Sequence, residues 1–70
     1  MNYEELLAEL IRLRKEKGWS LVRLAKQMKS SESYVWRIEN RHHTPSAPIL
    51  QRWCNVLGKR YTYALEDTED

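Results

Sequence analysis

The sequence predicts an all-α fold, a compact bundle of four to five short helices closed by a C-terminal segment of different character. Three observations predict it. Leucines and isoleucines recur at helical spacing, serines stand where short helices would begin, and Gly and Pro number only two each in 70 residues. One domain of this length lies near the lower limit for folding without a staple. A single cysteine excludes an intrachain disulfide, so the core must come from Leu, Ile, Val and three Trp, with no Phe. No apolar run approaches membrane-spanning length, and the first residues lack a signal-peptide layout. A reducing cytoplasm is the expected location.

The first helix is expected over Tyr3 to Lys17. Asn2 can cap it, with Glu5 three residues on in a capping box. Leu6, Leu10, Leu13 and Lys17 follow the spacing of a buried stripe, with Lys17 at its solvent end, and Leu7 and Ile11 widen it. Gly18 ends it, Trp19 enters the core, and Ser20 caps a second helix over Leu21–Met28. That helix turns Leu21, Leu24, Ala25 and Met28 inward. A third helix starts after Ser31 and runs to about Asn40, burying Val35 and Ile38. Pro45 ends the next loop and Ser46 caps a fourth helix, about Ala47 to Leu57. Pro48 is tolerated there because the first turn needs no backbone donor. Leu50, Trp53, Cys54 and Leu57 make its core face, and Gly58 terminates it.

The segment 60–65 alternates, with Tyr61, Tyr63 and Leu65 on one side. Alternation with two Tyr and a Thr favours a strand. A fifth short helix is the alternative. A lone strand among helices lacks a partner. Pairing with its own copy across a two-fold axis would satisfy it. The expected dimer interface is therefore Trp53, Val56, Tyr61, Tyr63 and Leu65. Residues 1–65 form the expected domain and 66–70 an acidic disordered tail. Four acidic residues in that tail leave 12 basic against 6 acidic side chains in residues 1–65, a charge of +6. Such a body attracts polyanions, although a soluble surface with a polar tail explains the same balance.

Order and spacing say more than charge. Two short helices meeting at a turn around Lys29-Ser30 form the unit that places one helix in a DNA major groove. Leu13-Arg14, Lys17-Gly18-Trp19-Ser20, Leu24-Ala25, Ser31-x-Ser33-Tyr34-Val35-x-Arg37-Ile38-Glu39-Asn40, Pro45-Ser46 and Leu57-Gly58 follow in order. In this the chain resembles the lambda-repressor-like helix-turn-helix family, the XRE or Cro/repressor class of phage and bacterial regulators. The resemblance covers roughly residues 6–65. It implies a four- or five-helix bundle, a DNA-binding dimer, no cofactor and no catalysis. It also implies that Arg14 and Glu39 bridge the first helix to the end of the third. The chain departs from the family pattern at three positions. Leu21 stands where the family often has Gln, and Lys29 and Arg41 stand where it usually has Gly. The two basic replacements are explained either by nearby phosphates or by drift, with strain absorbed elsewhere.

With its buried pair set aside, the third helix shows one outward face: Glu32, Trp36 and Asn40, then Ser33, Arg37 and Arg41 one residue on. Family positions matching Glu32, Ser33 and Arg37 commonly touch base edges. Arg37 can bond guanine O6 and N7 together, and Glu32 can accept from cytosine N4. Ser33 suits several bases. Trp36 can meet a thymine methyl, or pack over the core edge or at a protein interface. Glu32 can instead serve the helix dipole alone. Backbone contacts are expected from Ser20, Arg23, Lys29, Tyr34, Asn40, Arg41, His42, His43 and Thr44. Adjacent histidines point apart and no further ligands sit at metal spacing, so no metal site is expected. Cys54 reads as core packing.

The expected function is sequence-specific DNA binding at a palindromic operator. The expected protein is a repressor of phage or mobile-element type, acting as a homodimer by operator occupancy. Seventy residues leave no room for a ligand-sensing second domain, and no small-molecule ligand is expected. The rival is an antitoxin-like module that neutralises a partner protein, suggested by the acidic tail. No paired carboxylates, metal cluster or phosphate loop suggests an enzyme.

Overall fold

The computed structural model describes residues 2–61 and 65–67. Helices α1 (Tyr3–Glu16), α2 (Leu21–Met28), α3 (Glu32–Glu39) and α4 (Ala47–Val56) are followed by strands β1 (Lys59–Tyr61) and β2 (Leu65–Asp67). Capping chemistry sets the starts. The Asn2 side chain accepts from the Glu5 amide at 2.8 Å, and Glu5 accepts from the Asn2 amide at 3.1 Å, so both halves of the capping box form. Ser20 and Ser31 accept from the amides of Arg23 and Tyr34, each at 3.1 Å.

Ser46 corrects the pattern. It occupies the N-cap of α4 but makes no side-chain cap bond. Pro48, the second helical residue, removes one of the two amides that a capping hydroxyl can bond and leaves only that of Ile49.

Three helices end in one way. A left-handed residue lets two amides fold back onto the last-turn carbonyls. Trp19 and Gly18 bond the carbonyls of Arg14 and Lys15, Ser30 and Lys29 those of Ala25 and Lys26, and His42 and Arg41 those of Arg37 and Ile38. The left-handed residue is Gly18 (φ 75°) at the first end, but Lys29 (φ 56°) and Arg41 (φ 63°) at the others. A Cβ there costs about 1 kcal/mol. Lys29→Gly is therefore expected to raise stability by about 1 kcal/mol in urea unfolding. No gain would mean that Lys29 rests unstrained in its turn.

The core joins all four helices: Leu6, Leu7, Leu10 and Leu13 from α1, Leu24, Ala25 and Met28 from α2, Val35 and Ile38 from α3, and Trp53 and Cys54 from α4, with Leu57 just beyond. Trp19, Leu21 and Leu50 were expected inside but pack only partly buried against it. Burial pushes the Cys54 thiol up to about 11, which keeps it protonated and inert at neutral pH. Arg52 donates to the Met28 carbonyl at 3.2 Å, a cation from α4 closing the C-terminal end of α2.

The C-terminal segment opens as a strand, as alternation suggested, but neither a lone one nor one continuous strand over 60–65: Tyr61 ends β1 and Leu65 begins β2. β1 pairs antiparallel with β2, in the register Lys59↔Asp67, Arg60↔Glu66 and Tyr61↔Leu65. The strand partner expected from a second copy is thus supplied by the same chain. Glu66 and Asp67, assigned above to a disordered tail, form most of β2. β1 packs against α4. Tyr63 and residues 68–70 lie outside the described residues.

Candidate nucleic-acid interface

α2 and α3 are joined by three residues, Lys29 to Ser31. The left-handed Lys29 reverses the chain and Ser31 caps the next helix, so the turn is closed by hydrogen bonds at both ends. α3 buries Val35, Ile38 and Glu39 and leaves Glu32, Ser33, Trp36, Arg37 and Asn40 exposed. The four residues expected to meet bases thus share one solvent-facing surface.

A buried ion pair fixes how α3 sits. Arg14 Nε meets Glu39 Oε2 at 2.7 Å and Arg14 Nη2 meets Oε1 at 3.0 Å, a two-point fork between side chains 10% and 8% exposed. The third donor, Nη1, bonds the Trp19 carbonyl at 2.6 Å. One guanidinium therefore ties α1, the turn that leads into α2 and the end of α3. The bridge implied by the family resemblance is present, and the Trp19 bond extends it to a third element.

The loop after α3 is organised by rings. The His42 ring stacks on Trp36, with centroids 5.5 Å apart and planes within 8°. The His43 ring meets Tyr34 at 5.3 Å, tilted 56°. The histidines thus turn to different partners. Among the described residues, no group of three or more His, Cys, Asp or Glu is placed to hold a metal ion. Trp36 does not pack over the core edge, one of the readings open to it; it is 47% exposed. Tyr34 sits half-buried against the core. The Asn40 amide is turned back to the Trp36 carbonyl at 3.0 Å.

The cations divide into committed and open. Arg12 is held by Glu9 and Glu16, both at 2.7 Å. Arg23 and Lys17 lie over the Trp19 ring at 5.1 and 5.5 Å. Arg41 departs furthest from expectation. Its Nη2 bonds Glu4 at 2.6 Å and its Nη1 the Glu39 carbonyl at 2.6 Å, so the guanidinium ties α3 to the start of α1. The Glu4 bridge is solvent-exposed and so worth at most about 1 kcal/mol, weak enough for a phosphate to compete. Among the described residues, Lys26, Lys29 and Arg37 make no ion pair, side-chain hydrogen bond or ring contact. Lys26 was not nominated from sequence; its exposed place on α2, three residues before Lys29, is the signal. Ser20 and Thr44 are exposed.

The expected dimer residues separate. Trp53 is completely buried and offers nothing to a partner, a correction that follows from its place at the centre of the α4 core face. Val56 is partly buried. Tyr61 and Leu65 are backbone partners in the hairpin register.

A bundle with a helix-turn-helix, a held second helix of that unit and an exposed polar face on it describe a DNA-binding domain. The helix-turn-helix family model HTH_3 matches residues 10–63. The chain belongs to this family of DNA-binding domains, the XRE or lambda-repressor-like class. No curated protein sequence and no solved structure matches it. Among the described residues, no helix is long and apolar enough to cross a membrane.

Proposed function

We propose that the protein is a transcriptional repressor of phage or mobile-element type that occupies a palindromic operator as a homodimer. The observation that carries this is the exposed face of α3, with Glu32, Ser33, Trp36 and Arg37 presented by a helix locked through Arg14–Glu39. In this reading α3 enters the major groove. Arg37 bonds a guanine, Glu32 accepts from a cytosine, and Ser33 adapts to its neighbour. Ser20, Arg23, Lys29, Tyr34, Asn40, His42, His43 and Thr44 hold the sugar-phosphate backbone, joined by Lys26 and by Arg41 on exchange from Glu4. Occupancy excludes polymerase, and no catalytic step is involved. Selection of bound sequences from random duplex DNA is the test. A palindromic consensus is the expected result, and recovery of no preferred sequence would refute the proposal.

The same reading gives Lys29→Gly a second consequence. One phosphate contact fewer lowers the slope of log affinity against log salt by about one. An unchanged slope would place Lys29 away from the DNA backbone.

One α3 reads only a few base pairs, so two copies are needed about 34 Å apart, one turn of the duplex. We place the contact at the C-terminal end, through Val56 and the β1–β2 hairpin in place of a single strand and Trp53. Truncation after Gly58 is expected to sediment as a monomer while keeping its helical signal. A truncated protein that remains dimeric would move the interface to Leu7 or Ile11 on α1; Leu7 is fully buried, so Ile11 is the candidate.

A further inference from the structure

We infer that Trp36, backed by the His42 ring, reads the C5-methyl group of a thymine in the major groove. The inference rests on the proposed operator binding and deepens it to one base. Val22 and Trp36 are the large apolar side chains left exposed among the described residues, and Trp36 stands on the same face as Ser33 and Arg37. Two such side chains do not build the roughly 800 Å² per partner of a stable protein interface. On the floor of the major groove, the apolar feature is the thymine methyl.

The stack decides how the indole is used. Arg41 adopts φ 63° and the His42 amide bonds the Arg37 carbonyl at 2.8 Å, which folds the chain back over α3. His42 then lies nearly parallel to Trp36, stacked with an offset against part of the indole. With the imidazole stacked against it, the indole is poorly placed to be sandwiched between two bases. It presents one face and one edge, and its rotation is restricted by the ring behind it. A fixed apolar surface suits a methyl group, whereas a polar groove floor would leave it poorly solvated. His42 is thus a positioning residue, and Trp36 makes the contact.

The test uses the full chain and the duplex recovered by selection. Each thymine is replaced singly by deoxyuridine, which removes the methyl and keeps every hydrogen-bonding group. At one thymine position the wild-type protein should bind the deoxyuridine duplex about three- to fivefold more weakly, the worth of one buried methyl. Trp36→Ala should bind the two duplexes alike at that position, with an unchanged melting temperature because the side chain is exposed. His42→Ala should reduce the discrimination, and His42→Tyr, which restores a stacking ring, should recover it. Equal losses in wild type and Trp36→Ala, or no position sensitive to the methyl, would overturn the inference while leaving operator binding intact. His42→Ala with full discrimination would overturn the positioning role. Failure of wild type to prefer any duplex is separate, because it refutes the proposed function before deoxyuridine is introduced.

Discussion

Glu39→Ala is expected to cost about 3–5 kcal/mol, enough to leave much of the protein unfolded at 25 °C. The carboxylate is almost fully buried and accepts both arms of the Arg14 fork. Removing it strands a buried guanidinium whose remaining partner is the Trp19 carbonyl. An uncompensated buried charge costs that much, whereas the intact pair roughly balances its own desolvation. Domains of this size have only about 3–5 kcal/mol in hand. Urea unfolding followed by circular dichroism measures the loss. The double variant Arg14→Met/Glu39→Leu should recover most of it, because apolar groups of similar volume replace the pair without leaving a charge. That double variant separates two roles of the bridge. If it holds α3 at its DNA-binding angle, the recovered fold should still bind DNA more weakly. A Glu39→Ala protein as stable as wild type would show that Arg14 reaches water, and the bridge would lose its structural meaning.

The helices were legible because their determinants are local. Asn2 with Glu5, Ser20 and Ser31 each announce a helix within three residues, and the leucine spacing of α1 needs no knowledge of its neighbours. Ser46 shows the limit even of local rules, since it stands at the N-cap of α4 and makes no side-chain cap bond. Burial along α4 was half legible. Helical spacing put Trp53 in the core, whereas the search for a dimer surface placed it outside, and the structure sides with spacing.

Contacts between distant residues had no such signal. Arg14–Glu39 was visible only through family resemblance, because 25 residues separate the partners and no periodicity links them. Arg41–Glu4, 37 residues apart, was not visible at all. Two explanations stood open for a basic residue at each left-handed position. At Arg41 the structure adds a third: the cation is bound within the protein, so its charge contributes to holding α3 against α1. At Lys29 no internal partner is found among the described residues, and the phosphate explanation retains its force there. β2 was missed because Glu66 and Asp67 are poor strand formers, so composition pointed to a tail. The register sets Lys59 opposite Asp67 and Arg60 opposite Glu66 along the backbone, a pairing that no local pattern announces.

Arg37→Ala is expected to cost about 1–3 kcal/mol on the preferred operator, roughly five- to 160-fold in affinity. Its fold should be unaffected, since the side chain is exposed and the His42 amide bonds only the Arg37 carbonyl. The loss should be confined to duplexes carrying guanine at one position, because a guanidinium fork matches O6 and N7 of that base alone. On duplexes already lacking that guanine, wild type and variant should differ little. Arg37→Lys sharpens the distinction. It keeps the charge and loses the planar fork, so it should not restore the base preference. Fluorescence anisotropy with single base-pair substitutions, repeated across salt concentrations, reads both the charge dependence and the base preference. An equal loss on every sequence, repaired by lysine, would make Arg37 a phosphate contact. The reading of sequence would then fall to Glu32, Ser33 and Trp36.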